Sequence, residues 1–397
     1  MVSILIGGDL CPIGLNIPLC ESGDALALFG KFLSEFQKAD LSVVNLECPL
    51  IDLETPIQKE GPVLGVPRRC ISGIKKASID VLNLANNHIM DHGAKGLQTT
   101  IKTCNQNEIK YVGAGENLKD ARKVLVQNIN TIAVGILSVA EHEFSIATRD
   151  FPGANPLDII DLVRTVQEHS SDWDRLIVLF HGGNEFYPYP SPWLKNTCRF
   201  MIEQGADAVI CQHSHCSGCI ETYQGAPIVY GQGNLLFDAD HWPNMWYEGM
   251  LVSLEIDRGN SIRTRLIPFK QIRGRPGIHE MSEKEEAAFR SGFNARSEIV
   301  LDDKRLEDEW RRFCERHERD YLRSLYGHKS LVHRVTARMG LLERFYTKRK
   351  RLLSLSAIQC ESQREALLDI LADNTPRAQT ENAYPPKSKS EKSLALF

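Results

Sequence analysis

Eight polar side chains of ligand or acid–base type lie just past apolar runs of this chain. Asp9 ends VSILIGG, and Glu47 follows LSVVNL. Asn86, Asn87 and His88 follow VLNLA, His181 follows RLIVLF, and His213 and His215 follow DAVIC. Runs of this kind, rich in Val and Ile, read as strands. In α/β folds, binding and chemistry collect at the C-terminal ends of strands. One such placement is noise, but five in one chain point to side chains converging on one site. Asp9, Glu47, Asn87, His181, His213 and His215 together offer two carboxylates, an amide oxygen and three imidazoles. Divalent manganese, iron or zinc accepts that donor mixture. A bridging carboxylate among His and Asn ligands suits two ions about 3.5–4 Å apart, the spacing that clamps the attacking and leaving oxygens of a phosphoryl transfer.

Individual residues carry competing readings. His213-Ser214-His215 alone reads as two polar loop histidines. Placed directly after DAVIC, the same spacing reads as two imidazoles offered to one site. His88 is either a turn residue beside two asparagines or a general acid beside a metal-binding Asn, since an imidazole can protonate a leaving oxygen near neutral pH. Asp91 either orients His88 or caps the helix expected from about Gly93. Cys216 and Cys219 have Cys-x-x-Cys spacing, but no second pair accompanies them, so they read as loop or core thiols.

The elements that position these residues alternate strand and helix over residues 1–275, with helices expected near 23–38, 94–107, 155–170 and 192–204. That alternation predicts an α/β domain with covered sheets. GMLVSLEID and SIRTRLIPF follow each other directly and read as a closing antiparallel pair. Residues 276–372 read as a helical C-terminal extension, with helices near 304–326, 330–353 and 356–372. Residues 373–397, polar and rich in Pro, Ser and Lys, read as a disordered tail. Within 331–353, seven Arg or Lys precede Leu352 and only Glu343 opposes them. This stretch reads as a helix with a solvated basic face, with contact to an anionic membrane surface as the alternative.

The whole chain, 397 residues with 42% hydrophobic and 25% charged, has ordinary globular composition. A net charge of -4 gives no general attraction to polyanions. No groove-reading motif is present, so no specific nucleic acid partner is expected. No apolar run reaches the roughly 18 residues of a membrane-spanning helix. MVSILIGGDL reads as a buried first strand instead of a signal peptide. Eleven scattered cysteines read as reduced thiols. The expected location is therefore cytoplasmic, with any membrane association through 331–353.

Six segments, in order over residues 1 to about 270, resemble the CapA family of bacterial capsule-synthesis proteins, associated with poly-γ-glutamate capsules. They are Gly8-Asp9, Asn45-Leu46-Glu47, LANNHIMDHGAKGLQTT (84–100), VGAGENLKDA (112–121), HGGNEFYPYPSPW (181–193) and GADAVICQHSHCSGCIETYQGAPIVYGQGNLLFD (205–238). The resemblance implies a calcineurin-like metallophosphoesterase fold, a two-sheet sandwich flanked by helices (α/β/β/α). It also implies roles by position. Asp9 and His215 would hold one metal, Asn87, His181 and His213 the other, and Glu47 would bridge them. His88 would be the general acid. Glu185 would line the site or add a ligand, Asn86 and Asn234 would lie on the substrate side, and Gly233 would shape the facing loop.

The implied activity is metal-dependent hydrolysis of a phosphoester, the partner being a phosphorylated small molecule or an anionic surface polymer. A non-hydrolytic accessory role in polymer assembly, or amide chemistry on the polymer, would use the same pocket. Three positions depart from related patterns. Cys11 stands where classical metallophosphoesterases carry a His, Gly182 where an aromatic residue usually follows His181, and Cys211-Gln212-His213-Ser214-His215 where the family has Gly-His-His-Pro-His.

Overall fold

A computed structural model describes residues 1–59, 61–239, 242–257, 262–326, 347–360, 362–365, 367 and 371. The chain divides into two compact units, Met1–Tyr321 and Leu322–Phe397.

The first unit is built on two sheets. One has the order Arg275–His279, Ile262–Ile272, Glu248–Ile256, Val2–Cys11, Leu41–Leu46, Val81–Asn83, Lys110–Val112, and Asn234–Phe237 also pairs with Val2–Cys11. The other runs Ser217–Tyr223, Ala226–Gln232, Ala208–Gln212, Arg175–His181, Ile132–Ala140, Leu125–Ile129. The expected closing pair is present, with Glu248–Ile256 antiparallel to Ile262–Ile272.

Alternation along the strands explains the layers. Successive strand side chains point to opposite faces. Ile4 and Ile6 of the first strand pack with Ile136, Ile177, Leu179 and Ile210 of the other sheet to fill the sandwich. Leu5 joins the opposite core, with Phe29, Phe36 and Ile74 from helices on the outer face. Val178 and Phe180 pack outward against Leu162, Val166, Leu194 and Met201. These side chains come from the helices Ile159–His169 and Pro192–Glu203. Strands covered on both faces read as continuous apolar runs, which is why VSILI and LIVLF show no polar alternation. The architecture is α/β/β/α.

Helix Glu283–Val300 begins with a capping box between Ser282 and Glu285 and belongs to the first unit. Arg296 donates to the Gly218 carbonyl at 2.8 Å. Buried Lys195 holds the Val300 carbonyl and Asp303, tying this helix to the next, Asp303–Leu325. Phe313 packs on Tyr187 with ring centroids 4.5 Å apart. In the second unit, Lys348–Gln359 is a helix N-capped by Thr347. Residues 331–346 of the basic stretch and the 373–397 tail lie outside the described residues. Among the described residues, no helix is long and apolar enough to cross a membrane.

One close approach fixes where the site lies. A Cβ added at Gly8 would stand 2.1 Å from the Gly233 carbonyl oxygen, and the Asp9 amide donates to that same oxygen at 3.4 Å. Gly8→Ala must therefore push Asn234–Phe237 off the first strand. Overpacking of this kind costs about 1–3 kcal/mol. Chemical denaturation should show a loss of that order, and an unchanged midpoint would contradict this packing.

Candidate metal centre

Parallel strands bring the C-terminal residues together. Asp9 lies at a register shift of Val2–Cys11 against both of its parallel neighbours. A bulge of this kind re-aims a side chain next to a site. Glu47 follows Leu41–Leu46, His181 ends Arg175–His181, and His213 follows Ala208–Gln212. The turn after Val81–Asn83 carries Asn86, Asn87 and His88. His213 and His215 both have positive φ, at 92° and 52°. Non-glycine residues in that region are strained, and such strain clusters at functional sites.

The donors converge. His181 Nε2 lies 3.0 Å from Asn87 Oδ1 and 3.1 Å from His213 Nδ1. Glu47 Oε1 lies 3.5 Å from His181 Nε2 and 3.8 Å from His215 Nε2. Asp9 Oδ2 lies 3.5 Å from His215 Nδ1. Two donor triads result, Glu47–His181–His213 and Asp9–Glu47–His215, each with ligand atoms within 4.8 Å of one another. Glu47 belongs to both.

Glu47 also supplies the test of fit. Its carboxyl is fully buried, and neither oxygen has a hydrogen-bond partner. Buried polar groups are ordinarily satisfied, and an exception calls for an explanation such as an ion. A carboxylate without donors, ringed by imidazoles, has the chemistry of a divalent-ion ligand, and the residues present fit one.

Electrostatics agree. Burial, then the charge of Asp9, pushes the Glu47 carboxyl well above the ordinary carboxylate range. Burial, then the neighbouring histidines, holds His181 far below the usual imidazole value. Burial and His215 lower His213 to about 3. Burial works against protonation of His215 too, but its hydrogen bond to Asp9 and that carboxylate's charge outweigh it, and its pKa is raised.

Signs follow for the metal-free protein. Raised Glu47 contributes stability that is lost as pH rises through its folded value. Lowered His181 and His213 contribute stability present above about 6.5 and lost as pH falls toward their folded values. Metal needs unprotonated donors; with His181 and His213 lowered, the protons that compete with metal are those of Glu47 and His215, both raised. Manganese affinity, measured calorimetrically, should rise with pH as these two donors lose their protons and then level off. A flat profile between pH 5 and 8 would contradict this.

His88 and Asp91 form a pair beside the triads. His88 Nδ1 donates to Asp91 Oδ2 at 2.6 Å. Asp91 does not cap the following helix, Gly93–Gln106, whose N-cap is His92 without a side-chain cap bond. Its oxygens instead accept from His88, from the Leu64 amide at 2.7 Å and from Lys59 Nζ at 2.5 Å.

Two residues expected on the substrate side have other work. Asn86 is fully buried. Its amide donates to Asn45 Oδ1 and the Leu46 carbonyl, and its oxygen accepts from the His88 amide. Asn234 accepts from His215 Nδ1 at 2.8 Å and donates to the Trp246 carbonyl. Both position ligands and neighbours, because their polar atoms are already satisfied inside the protein. Glu185 is exposed at the rim, and its charge acts on Glu47 and His215.

Three participants were not singled out in the sequence. Asn45 donates to Asp9 Oδ1 at 2.8 Å and lies 3.2 Å from His181 Nδ1. Its position two residues before Glu47 on a strand was an available signal. Glu143 accepts from Asn87 Nδ2 at 3.2 Å and lies 3.8 Å from His213. Like Lys59, it lies outside the strands and carried no such signal. Among the departures, Cys11 is a buried thiol. At Gly182 an added Cβ would meet Glu141 Cγ at 2.6 Å, so Glu141 fills the space an aromatic residue would need.

Fold and site define a class: an α/β sandwich with a buried carboxylate–imidazole cluster suited to divalent metal. The family model described as "Bacterial capsule synthesis protein PGA_cap" matches residues 3–239, and the chain belongs to that family. Its relatives include the capsule biosynthesis protein CapA of Bacillus anthracis, 34% identical over 181 residues, or 44% of either chain. The PGA biosynthesis protein CapA of Bacillus subtilis is 30% identical over 208 residues, 51% of this chain and 54% of that one. A probable polyglutamine synthesis accessory protein of Mycobacterium tuberculosis is 32% identical over 211 residues, 48% of this chain and 55% of that one. The chain thus spans about half the length of the curated relatives it matches. Among solved structures, a putative 5'-nucleotidase from Staphylococcus aureus aligns loosely. Its TM-score is 0.41 at 13% identity, over 73% of this chain and 58% of that one.

Proposed function

We propose that this protein is a metal-dependent hydrolase of a phosphoester in capsule or surface-polymer metabolism. The observation that carries the reading is Glu47, a buried carboxylate without hydrogen bonds, shared by two donor triads. The donor set suits two ions of manganese, iron or zinc. Asp9 and His215 would hold one ion and Asn87, His181 and His213 the other, with Glu47 between them. Ions held there supply Lewis-acid stabilisation of charge developing on a phosphoryl oxygen. Asn45 and Asn234 fix the orientations of Asp9 and His215. His88, with Nδ1–H held by Asp91, would act as the doubly protonated ring, giving the Nε2 proton to the leaving oxygen and remaining neutral with its Nδ1 proton. Glu185 at the rim would face the substrate. That substrate is a phosphorylated small molecule or a phosphate-bearing surface polymer. The nine buried cysteines between Cys11 and Cys219 are free thiols and suit a reducing, cytoplasmic setting.

A second reading, non-hydrolytic service in polymer assembly, is favoured by Cys11, which removes a His that classical metallophosphoesterases carry. It also agrees with the word accessory in the mycobacterial relative's name. Manganese-loaded full-length protein offered bis-p-nitrophenyl phosphate and p-nitrophenyl phosphate decides between them. Metal-dependent turnover supports the hydrolase. Bound metal without turnover, with metal-dependent retention of poly-γ-glutamate, supports the accessory role.

A further inference from the structure

The side chain of Lys59 is almost wholly buried, 2% exposed, beside a fully buried Asp91 carboxyl. Lysine is rarely buried unless paired. Its ammonium donates to Asp91 Oδ1, while His88 Nδ1 and the Leu64 amide take Asp91 Oδ2. Lys59 Nζ also stands 3.2 Å from His88 Nδ1. Two donors facing one carboxylate cannot bond each other, so Nδ1 keeps its proton for Asp91 and Nε2 is the nitrogen left free. Docking of the surrounding loop does not need the lysine. Ile57 donates to the Asp91 carbonyl, and Thr55 binds the His92 ring through its amide and the His92 carbonyl through its hydroxyl.

We propose that Lys59 is a positioning residue that holds Asp91 and His88 in a single hydrogen-bonded arrangement, with Nε2 of His88 presented for chemistry. Its kinetic consequence rests on the hydrolase reading; its structural consequence does not. Without the ammonium, the Asp91 carboxylate is left with one fewer donor in a buried site. The His88 ring is then free to exchange tautomers and swing away from Asp91.

The test compares Lys59→Met, Lys59→Arg, Asp91→Asn and the Lys59→Met/Asp91→Asn double variant in the full chain loaded with manganese. On bis-p-nitrophenyl phosphate, Lys59→Met should lower kcat about 10- to 100-fold, the scale of a small misplacement of a reacting group. KM and manganese content should stay unchanged, and Lys59→Arg should recover most of the rate. The double variant should be no slower than Asp91→Asn alone, because both residues act through one carboxylate. Additive losses, or full kcat in Lys59→Met, would overturn the proposal. Nitrogen–proton NMR of the His88 ring is a readout independent of turnover. The parent should keep the Nδ1 proton in both its imidazolium and its neutral ring, and Lys59→Met should show neutral rings of both tautomers. An unchanged ring signal would overturn the proposal. A changed signal in a parent that hydrolyses neither ester would uphold it while the hydrolase reading falls. If Lys59→Met fails to fold, the double variant leaves no unpaired buried charge, and its comparison with Asp91→Asn decides.

Discussion

Glu47→Ala should bind manganese more than about 100-fold more weakly than the parent, while the chain keeps its fold. Removing a hydrogen-bonding partner of a ligand typically costs 10- to 100-fold in metal affinity, and Glu47 belongs to both donor triads. The fold should survive because no hydrogen bond of the protein ends on this carboxyl. Its burial beside Asp9 opposes ionisation, so alanine removes an unfavourable charge along with a ligand. Metal-free Glu47→Ala should therefore compare better with the metal-free parent at high pH, where the parent must ionise this carboxyl, than at low pH. Elemental analysis after dialysis, paired with thermal scans, checks both halves. Full occupancy in the variant would remove Glu47 from the site.

His88→Ala should act on rate and not on metal. Proton transfer by a positioned side chain contributes about 10²- to 10⁴-fold, so kcat on an aryl phosphodiester should fall by that factor at unchanged manganese content. The separation follows from position. The His88 Nδ1 atom is committed to Asp91, and the ring belongs to neither donor triad. Unchanged turnover would take His88 out of the chemistry. Lost metal would make it a ligand.

The fold was readable because its strands are buried on both faces. That burial makes VSILI, LIVLF and DAVIC continuous apolar runs, and the polar residue ending each run marks the edge where the site forms. The convergence of Asp9, Glu47, Asn87, His181, His213 and His215 on one cluster was legible for the same reason. Asn86 and Asn234, expected on the substrate side, have amides engaged within the protein, because residue type does not reveal whether an amide faces a cavity or is satisfied internally. Lys59 and Glu143 were invisible for a related reason. Both belong to loops, where periodicity says nothing of burial, and a lysine in a loop reads as solvated until its ammonium is found against Asp91. The left-handed backbone at His213 and His215 likewise was not legible, since even residue types enriched at positive φ rarely adopt it. Helix Glu283–Val300 was covered only by the general expectation of a helical extension over 276–372, and its place in the first unit was not legible because its contacts run through Arg296 and Ser297 to the distant strand Ser217–Tyr223.

The central claim is that one buried carboxylate stands between two metal positions. Diffraction at the manganese edge from crystals of the full chain grown with manganese tests it most directly. The account predicts two anomalous peaks about 3.5–4 Å apart, one beside Asp9 and His215, the other beside Asn87, His181 and His213, with Glu47 reaching both. No peak among these residues, in crystals that retain the fold, would contradict it.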